Sequence, residues 1–288
     1  MMAYKIITDG GCDLSLELIR DLELECVNLK VVIDGEDFDF DGSEQTTQKF
    51  YEIIKSGKMA STSAVNSTQF SEVMEKYLKQ GIDVLYLGFS AGLSSTYNSG
   101  YTAAVELSEK YPDRKIYTVS TLCASLGQGL LVYLTAMKKK EGCTIEEARD
   151  YAESIKLNLC HWFTVEDLFH LKRGGRVSAT TAVVGSMLNI KPVLHVDDEG
   201  HLISMGKARG RKASIKELLN KMKELAIKPE EQVIFISHSE CYDEAKMLGD
   251  MIKNELHVKD VIIGYIGPVI GAHTGVGTIA LFFLGKHR

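Results

Sequence analysis

The stretch Ile82-Asp83-Val84-Leu85-Tyr86-Leu87-Gly88-Phe89-Ser90-Ala91-Gly92-Leu93-Ser94-Ser95-Thr96-Tyr97 decides how this chain reads. Ile82 to Leu87 is an apolar run of strand length, as expected of a strand covered on both faces. From Tyr97 onward, Tyr101, Ala104, Val105 and Leu107 recur near helical spacing. Small, hydroxyl-rich residues therefore occupy a strand-to-helix turn. A helix start offers unpaired backbone N–H groups and a partial positive charge. With serine hydroxyls added, the turn suits an anion such as a carboxylate or phosphate, and Ser94 is the leading ligand.

The same alternation extends in both directions. Upstream, Lys5–Thr8 reads as a strand, Ser15–Leu22 as a helix and Cys26–Ile33 as a second strand. Gly35–Ser43 reads as an acidic turn, Thr46–Lys55 as a helix stopped by Gly57, and Met59–Ala64 as a polar loop. Asn66 or Ser67 then caps a helix carrying Phe70, Val73, Met74, Tyr77 and Leu78. Downstream come a strand at Lys115–Val119, a helix through Leu126, Leu130 and Leu134, and a helix capped by Thr144. Strands alternating with helices predict an α/β fold with a largely parallel sheet covered on both faces. Functional turns in such sheets gather at the carboxyl ends of strands, where Asp9, Ser90 and Ser120 sit.

The pattern changes near Cys160. A strand at Trp162–Val165, a hairpin of Pro192–Val196 with His201–Lys207, and a small apolar helix from Ala179 to Leu188 are expected. Helices at Ala213–Ala226 and Tyr242–Leu256, strands at Gln232–Ser237 and Val261–Ile266, and a closing apolar strand to Leu284 complete an α/β (α+β) pattern. We expect two domains, 1–159 and 160–288.

Composition narrows the function. The 288 residues are 45% hydrophobic and 25% charged, as in a folded protein. Lys+Arg 33 against Asp+Glu 39 gives a net charge of −6, which disfavours nucleic acid as a partner. No apolar run approaches the roughly 20 residues of a membrane span. The start, MMAYKIITDGG, enters a strand pattern directly and has no signal-peptide features, so a cytoplasmic protein is expected. Six scattered cysteines form no CxxC pair, and the eight histidines show no metal-type spacing. The acidic run Glu36, Asp37, Asp39, Asp41 lacks the ligand order of a calcium loop. No metal and no cofactor are expected.

Four further motifs invite chemistry. Gly88-Phe89-Ser90-Ala91-Gly92 matches the G-x-S-x-G nucleophile elbow, with His273 far downstream, so a serine esterase using Ser90 and His273 is the alternative function. Against it, Gly92 and Leu93 stand between the serine and the helix, and no HGGG-type oxyanion motif precedes it. Ser61-Thr62-Ser63 lies before another helix start and reads alone as a cap. Gly271-Ala272-His273-Thr274-Gly275-Val276-Gly277 surrounds one histidine with glycines that permit close approach to a ligand. Lys172-Arg173-Gly174-Gly175-Arg176 and Lys207, Arg209, Arg211, Lys212 are basic clusters: solvated surface, or recognition of phosphate or an acidic partner. A phosphate-ligand sensor would use them.

Taken in order, the TDGGCDL start, the STS loop, SAGLSSTY, KRGGRVS and GPVIGAHTGVG resemble the DegV family of bacterial fatty-acid-binding proteins across nearly the whole chain. The resemblance implies two α/β domains with a lipid tunnel between or within them. It implies a carrier, not an enzyme, that presents a long-chain fatty acid to a separate fatty acid kinase in phospholipid metabolism, with at most transient contact with a membrane surface. Position by position, it puts Thr62, Ser94 and His273 on the carboxylate, with Ser95 beside them, and turns Arg173 and Arg176 toward the kinase or its phosphate. The chain departs from the family pattern at Ala91 and Ser95, at Val65-Asn66, where a proline is usual, and at Gly10. Val183, Met187 and Leu188, with Ile279 and Phe282 of the last strand, are expected to line the acyl chain; ordinary core is the other reading of these five.

Overall fold

The computed structural model describes residues 3–177 and 189–288. Strands β1 (Tyr4–Asp9), β2 (Glu25–Val27), β6 (Asp83–Gly88) and β7 (Ile116–Ser120) form a wholly parallel sheet in the order β2-β1-β6-β7. Its apolar strands are covered on both sides, as the unbroken run at 82–87 requires. Ile7, Val84 and Tyr86 meet helices α3 (Ser67–Leu78) and α4 (Thr96–Lys110). Ile6, Leu85 and Leu87 meet α5 (Leu126–Lys140) and α6 (Ile145–Ile155). Side chains on one strand point alternately to the two faces, so neighbours in sequence serve different cores.

Between β2 and α3 the sequence reading needs correction. Cys26–Ile33 is not one strand: the chain leaves the parallel sheet after Val27 and starts β3 (Lys30–Ile33) in another. The expected acidic turn contains β4 (Glu36–Phe38), and the expected polar loop is β5 (Ala60–Ser63). The three make a small antiparallel sheet, order β4-β3-β5, with Val31 opposite Thr62. Asp34 and Gly35 both have positive φ, the two-residue hairpin turn that an Asp-Gly pair favours. Helix α2 (Glu44–Lys55) follows.

A six-stranded mixed sheet contains β8 (Leu159–Thr164), β9 (Ile190–Val196), β10 (Leu202–Arg209), β11 (Val233–His238), β12 (Asp260–Tyr265) and β13 (Ile279–Leu284). Its order is β10-β9-β8-β13-β11-β12, which leaves β12 at an edge. Short helix α7 (Phe169–Arg173) follows β8; α8 (Arg211–Leu225) and α9 (Tyr242–Leu256) cover one face through Trp162, Ile236, Ile279, Leu281 and Phe283. The other face, through Phe163, Phe235, Ala280 and Phe282, joins Ile6, Leu85 and Leu126 in one continuous core. The glycine-rich tail holds a helix, α10 (Pro268–Thr274), with Pro268 in its first turn and Gly275 ending it at φ +71. No helix among the described residues is long and apolar enough to cross a membrane.

Candidate functional site

Asp9, at the end of β1 and fully buried, organises the turn after β6. Its carboxylate accepts hydrogen bonds from the Phe89 N–H (2.9 Å), the Tyr86 hydroxyl (2.7 Å), the Gly11 N–H (3.0 Å) and Gln128 Nε2 (3.2 Å). Burial raises its pKa against the pull of these donors. With Phe89 pinned, the Ser90 N–H donates to Cys123 O and the Ser94 N–H to Ser90 O. Ser94 Oγ accepts from the Thr96 N–H (3.2 Å) and lies 3.0 Å from Thr96 Oγ1. Ser95 is exposed and stands outside the cavity wall.

Two other segments meet this turn. Thr62 on β5 and His273 on α10 approach to 2.9 Å, Oγ1 to Nε2. Burial, and then the nearby charges of Arg176 and Arg173, push the His273 pKa down to about 4, so the ring is neutral at pH 7. Gly174 makes the approach possible: a Cβ there would lie 2.5 Å from His273 Nδ1. Arg176 donates through Nε to Leu93 O (3.3 Å) and through Nη1 to Gly174 O. Arg173 is exposed and touches His170 Nδ1 (3.0 Å) and Met59 Sδ (3.1 Å). Neither arginine has a carboxylate partner among the described residues.

These groups stand at a cavity whose empty space, its open mouth included, is about 730 Å³. Thr62, Ser94, His273 and Arg176 all contribute to its wall. The remainder is mostly apolar, including Leu93, Phe163, Val196, Val269 and Phe282. Into β13 the wall takes every second residue, Thr278 just before the strand and then Ala280 and Phe282. Thr278 Oγ1 bonds Thr274 O beside His273, whereas Phe282 pairs with His161 on β8. The wall therefore runs roughly 13 Å along this strand away from the polar end.

Of the residues expected to line a hydrocarbon, Phe282 is in this wall. Ile279 is not: strand alternation turns it to the opposite face, against α8 and α9. Val183, Met187 and Leu188 lie outside the described residues. Sequence reasoning missed His161, Ser125 and Ser237. The two serines bond each other (3.1 Å), and Ser125 donates to Asp13 (2.6 Å). Strand alternation in β8 and β11 was the available signal for His161 and Ser237; Ser125, just before α5, had none.

The geometry disfavours the nucleophile reading. Ser90 is fully buried, its hydroxyl donates to Gly200 O (2.9 Å) and accepts from the Gly92 N–H (3.2 Å), and it stands outside the cavity wall. His273 is engaged with Thr62 instead. Among the described residues, Asp197, Glu199 and His201 come close enough together to hold a metal ion, but they are on a surface hairpin and not at the cavity. The arrangement at the cavity mouth offers hydroxyls, an imidazole and guanidinium charge, a set suited to an organic anion.

The model of the DegV family matches residues 3–286. A DegV domain-containing protein of Clostridium perfringens is 49% identical over 289 residues, covering 100% of this chain and 99% of its own. A DegV lipid binding protein of Thermotoga maritima superposes with TM-score 0.88 at 28% identity, covering 100% of both chains. A DegV family protein of Thermus thermophilus, whose structure is described for fatty acid binding, gives TM-score 0.88 at 29% identity, over 99% of this chain and 100% of its own. DegV of Bacillus subtilis, described as a fatty acid binding protein, gives 0.85 at 26%, over 99% and 100%.

Proposed function

The chain belongs to the DegV family, and from that footing we propose that it binds a long-chain fatty acid in this cavity and presents the carboxylate to a separate fatty acid kinase. The carboxylate sits at Thr62, Ser94 and His273, and the hydrocarbon runs along the even-numbered residues of β13. One observation carries the reading: Thr62, Ser94, His273 and Arg176 share the wall of a mostly apolar cavity, with Arg173 near enough to act on His273 and neither arginine paired with a carboxylate among the described residues. Relatives described as fatty-acid-binding proteins, at 26% and 29% identity over almost their whole length, support it.

The energetics assign separate tasks to the two ends. Each buried methylene contributes about 0.8 kcal/mol, so roughly fourteen of them supply on the order of 11 kcal/mol before ordering costs. The tail dominates affinity, and the polar end sets direction. Arg173 and Arg176 steer the kinase or hold the acyl phosphate that it makes. Exposed Phe169 and Met59 flank Arg173 and complete a contact surface for the kinase. Native mass spectrometry of protein purified from a bacterial host tests the first half; uniformly ligand-free protein, with no uptake of added fatty acid, rejects it. Incubation of loaded protein with a fatty acid kinase and ATP tests the second. Arg173→Ala should lower acyl phosphate formation while leaving fatty acid content unchanged.

A further inference from the structure

A second cleft, about 1530 Å³ including its open side, runs between the segment that follows β1 and the edge strand β12. Its flanks are apolar, with Leu14, Leu18 and Ile19 on one side and Ile262 and Ile263 on the other. Rings of Phe40, Tyr242 and Tyr265 line it as well. Among the described residues the wall holds four carboxyl groups, Asp13, Glu25, Asp41 and Glu44, and no lysine or arginine. Glu25 is served by Lys76 at 3.8 Å and by the Tyr77 hydroxyl. The other three have no cationic partner among the described residues. Asp41 accepts from the Ser43 N–H (2.8 Å) and Thr46 Oγ1 (2.6 Å), which keep it ionised. Asp13 accepts from the Ser125 hydroxyl.

His238 adds an independent observation. It lines the same cleft, is 1% exposed, and its Nδ1 is buried with no hydrogen-bond partner. It is tilted against the Tyr265 ring at 4.5 Å and edge-on to Tyr242 at 5.6 Å. Burial keeps the ring neutral, so it can serve as an acceptor. The cleft therefore offers acceptors, ring faces and apolar flanks, and lacks a cation. Asp13, Asp41 and Glu44 do not converge closely enough to share one metal ion. Carboxylates without cationic partners, set beside apolar wall, match a cation that carries methylenes as well as charge. Ammonium groups also favour aromatic faces.

We propose that this cleft binds a linear aliphatic polyamine, its ammonium groups on Asp13, Asp41 and Glu44 and its methylenes along Leu14, Ile19 and Ile262. The cleft is a separate hollow from the fatty acid cavity, joined to it through Ser125, which lines that cavity and donates to Asp13; Glu44 and Tyr242 line the cleft alone. Isothermal titration of the full chain with spermidine at physiological salt should give saturable one-to-one binding, and Mg²⁺ in its place should give none. Asp13→Asn should weaken spermidine binding roughly tenfold, the effect of one charge-assisted contact. Glu44→Gln and Tyr242→Ala change solvent-reachable side chains, and each should weaken it several-fold with an unchanged circular dichroism spectrum. Three results would each overturn the proposal: no saturation with spermidine in the millimolar range, equal competition by Mg²⁺, or wild-type affinity in both Glu44→Gln and Tyr242→Ala. Tighter binding of a trilysine peptide than of spermidine would also overturn it, in favour of a protein segment as occupant.

Discussion

Thr62 Oγ1 and His273 Nε2 lie 2.9 Å apart across a sequence separation of 211 residues. The pair fixes the imidazole in the cavity wall that it shares with Ser94 and Arg176, with Nε2 toward the threonine and Nδ1 toward Gly174. Thr62→Ala, Ser94→Ala and His273→Ala should each weaken fatty acid binding about 10- to 100-fold, the loss of one hydrogen bond to a charged group. Competition against a fluorescent fatty acid measures it. Three wild-type affinities would remove these residues from the head-group site.

Gly174 has an ordinary backbone conformation, φ −70, so its lack of a side chain matters for space alone. Gly174→Ala should displace the His273 ring, cost about 1–3 kcal/mol of stability, and lower fatty acid affinity as His273→Ala does. Gly175→Ala is the control: it meets no atom within 4 Å but sits at φ +70, so it should cost stability and leave binding intact.

Ala280 lies in the cavity wall between Phe163 and Ser237 on the neighbouring strands. Ala280→Leu puts carbon into the hollow. Displacing about three methylenes of ligand costs about 2.4 kcal/mol, so affinity for a long acid should fall while an acid shorter by that length binds nearly as before. An unchanged ranking of chain lengths by the same competition assay would move the hydrocarbon elsewhere.

Burial raises the Asp13 pKa from 3.8 to about 7. A carboxyl with a raised folded-state value is neutral in both states below pH 3.8; the folded form becomes progressively disfavoured as pH rises toward 7. Asp13→Asn should therefore stabilise the protein above pH 7, by at most about 4 kcal/mol, with the gain shrinking to nothing near pH 4. Urea melts at the two pH values measure the difference. A gain that does not change with pH would mean that Asp13 keeps an ordinary pKa.

His273 and His238 act in the opposite sense. Both are pushed down to about 4 and stay neutral while unfolded imidazoles protonate near 6.5. Their contribution is present above pH 6.5 and is lost as pH falls toward 4. In Asp13→Asn, where the opposing carboxyl is gone, stability should fall more steeply over this window than in wild type.

The alternation of strands and helices from Asp83 to Lys140 was legible because long apolar runs and helical stripes repeat there with clear punctuation. The small antiparallel sheet was not. Ala60–Ser63 carries hydroxyls where a strand would show apolar residues, and an acidic turn starting at Gly35 splits the Asp34-Gly35 pair, which is a strong hairpin signal. In the tail, glycine content masked a seven-residue helix whose start Pro268 marks. Thr62, Ser94 and His273 could be singled out one by one, by composition and by the family resemblance. Their meeting could not, because it depends on β5 pairing with β3 and on α10 packing against β5, contacts that no local pattern encodes. The turning of Ile279 away from the cavity, by contrast, follows from strand period alone once the register of β13 is known.

Phe163, Ala280 and Phe282 belong at once to the cavity wall and to the core shared with Ile6 and Leu85. A hydrocarbon in that hollow would supply packing that the polypeptide does not, so cargo and scaffold would melt together. Occupancy then adds RT ln(1 + [L]/Kd) to the unfolding free energy. Preparations carrying different amounts of host lipid would differ in thermal midpoint with no change in sequence, and delipidation before calorimetry becomes a requirement for comparing variants.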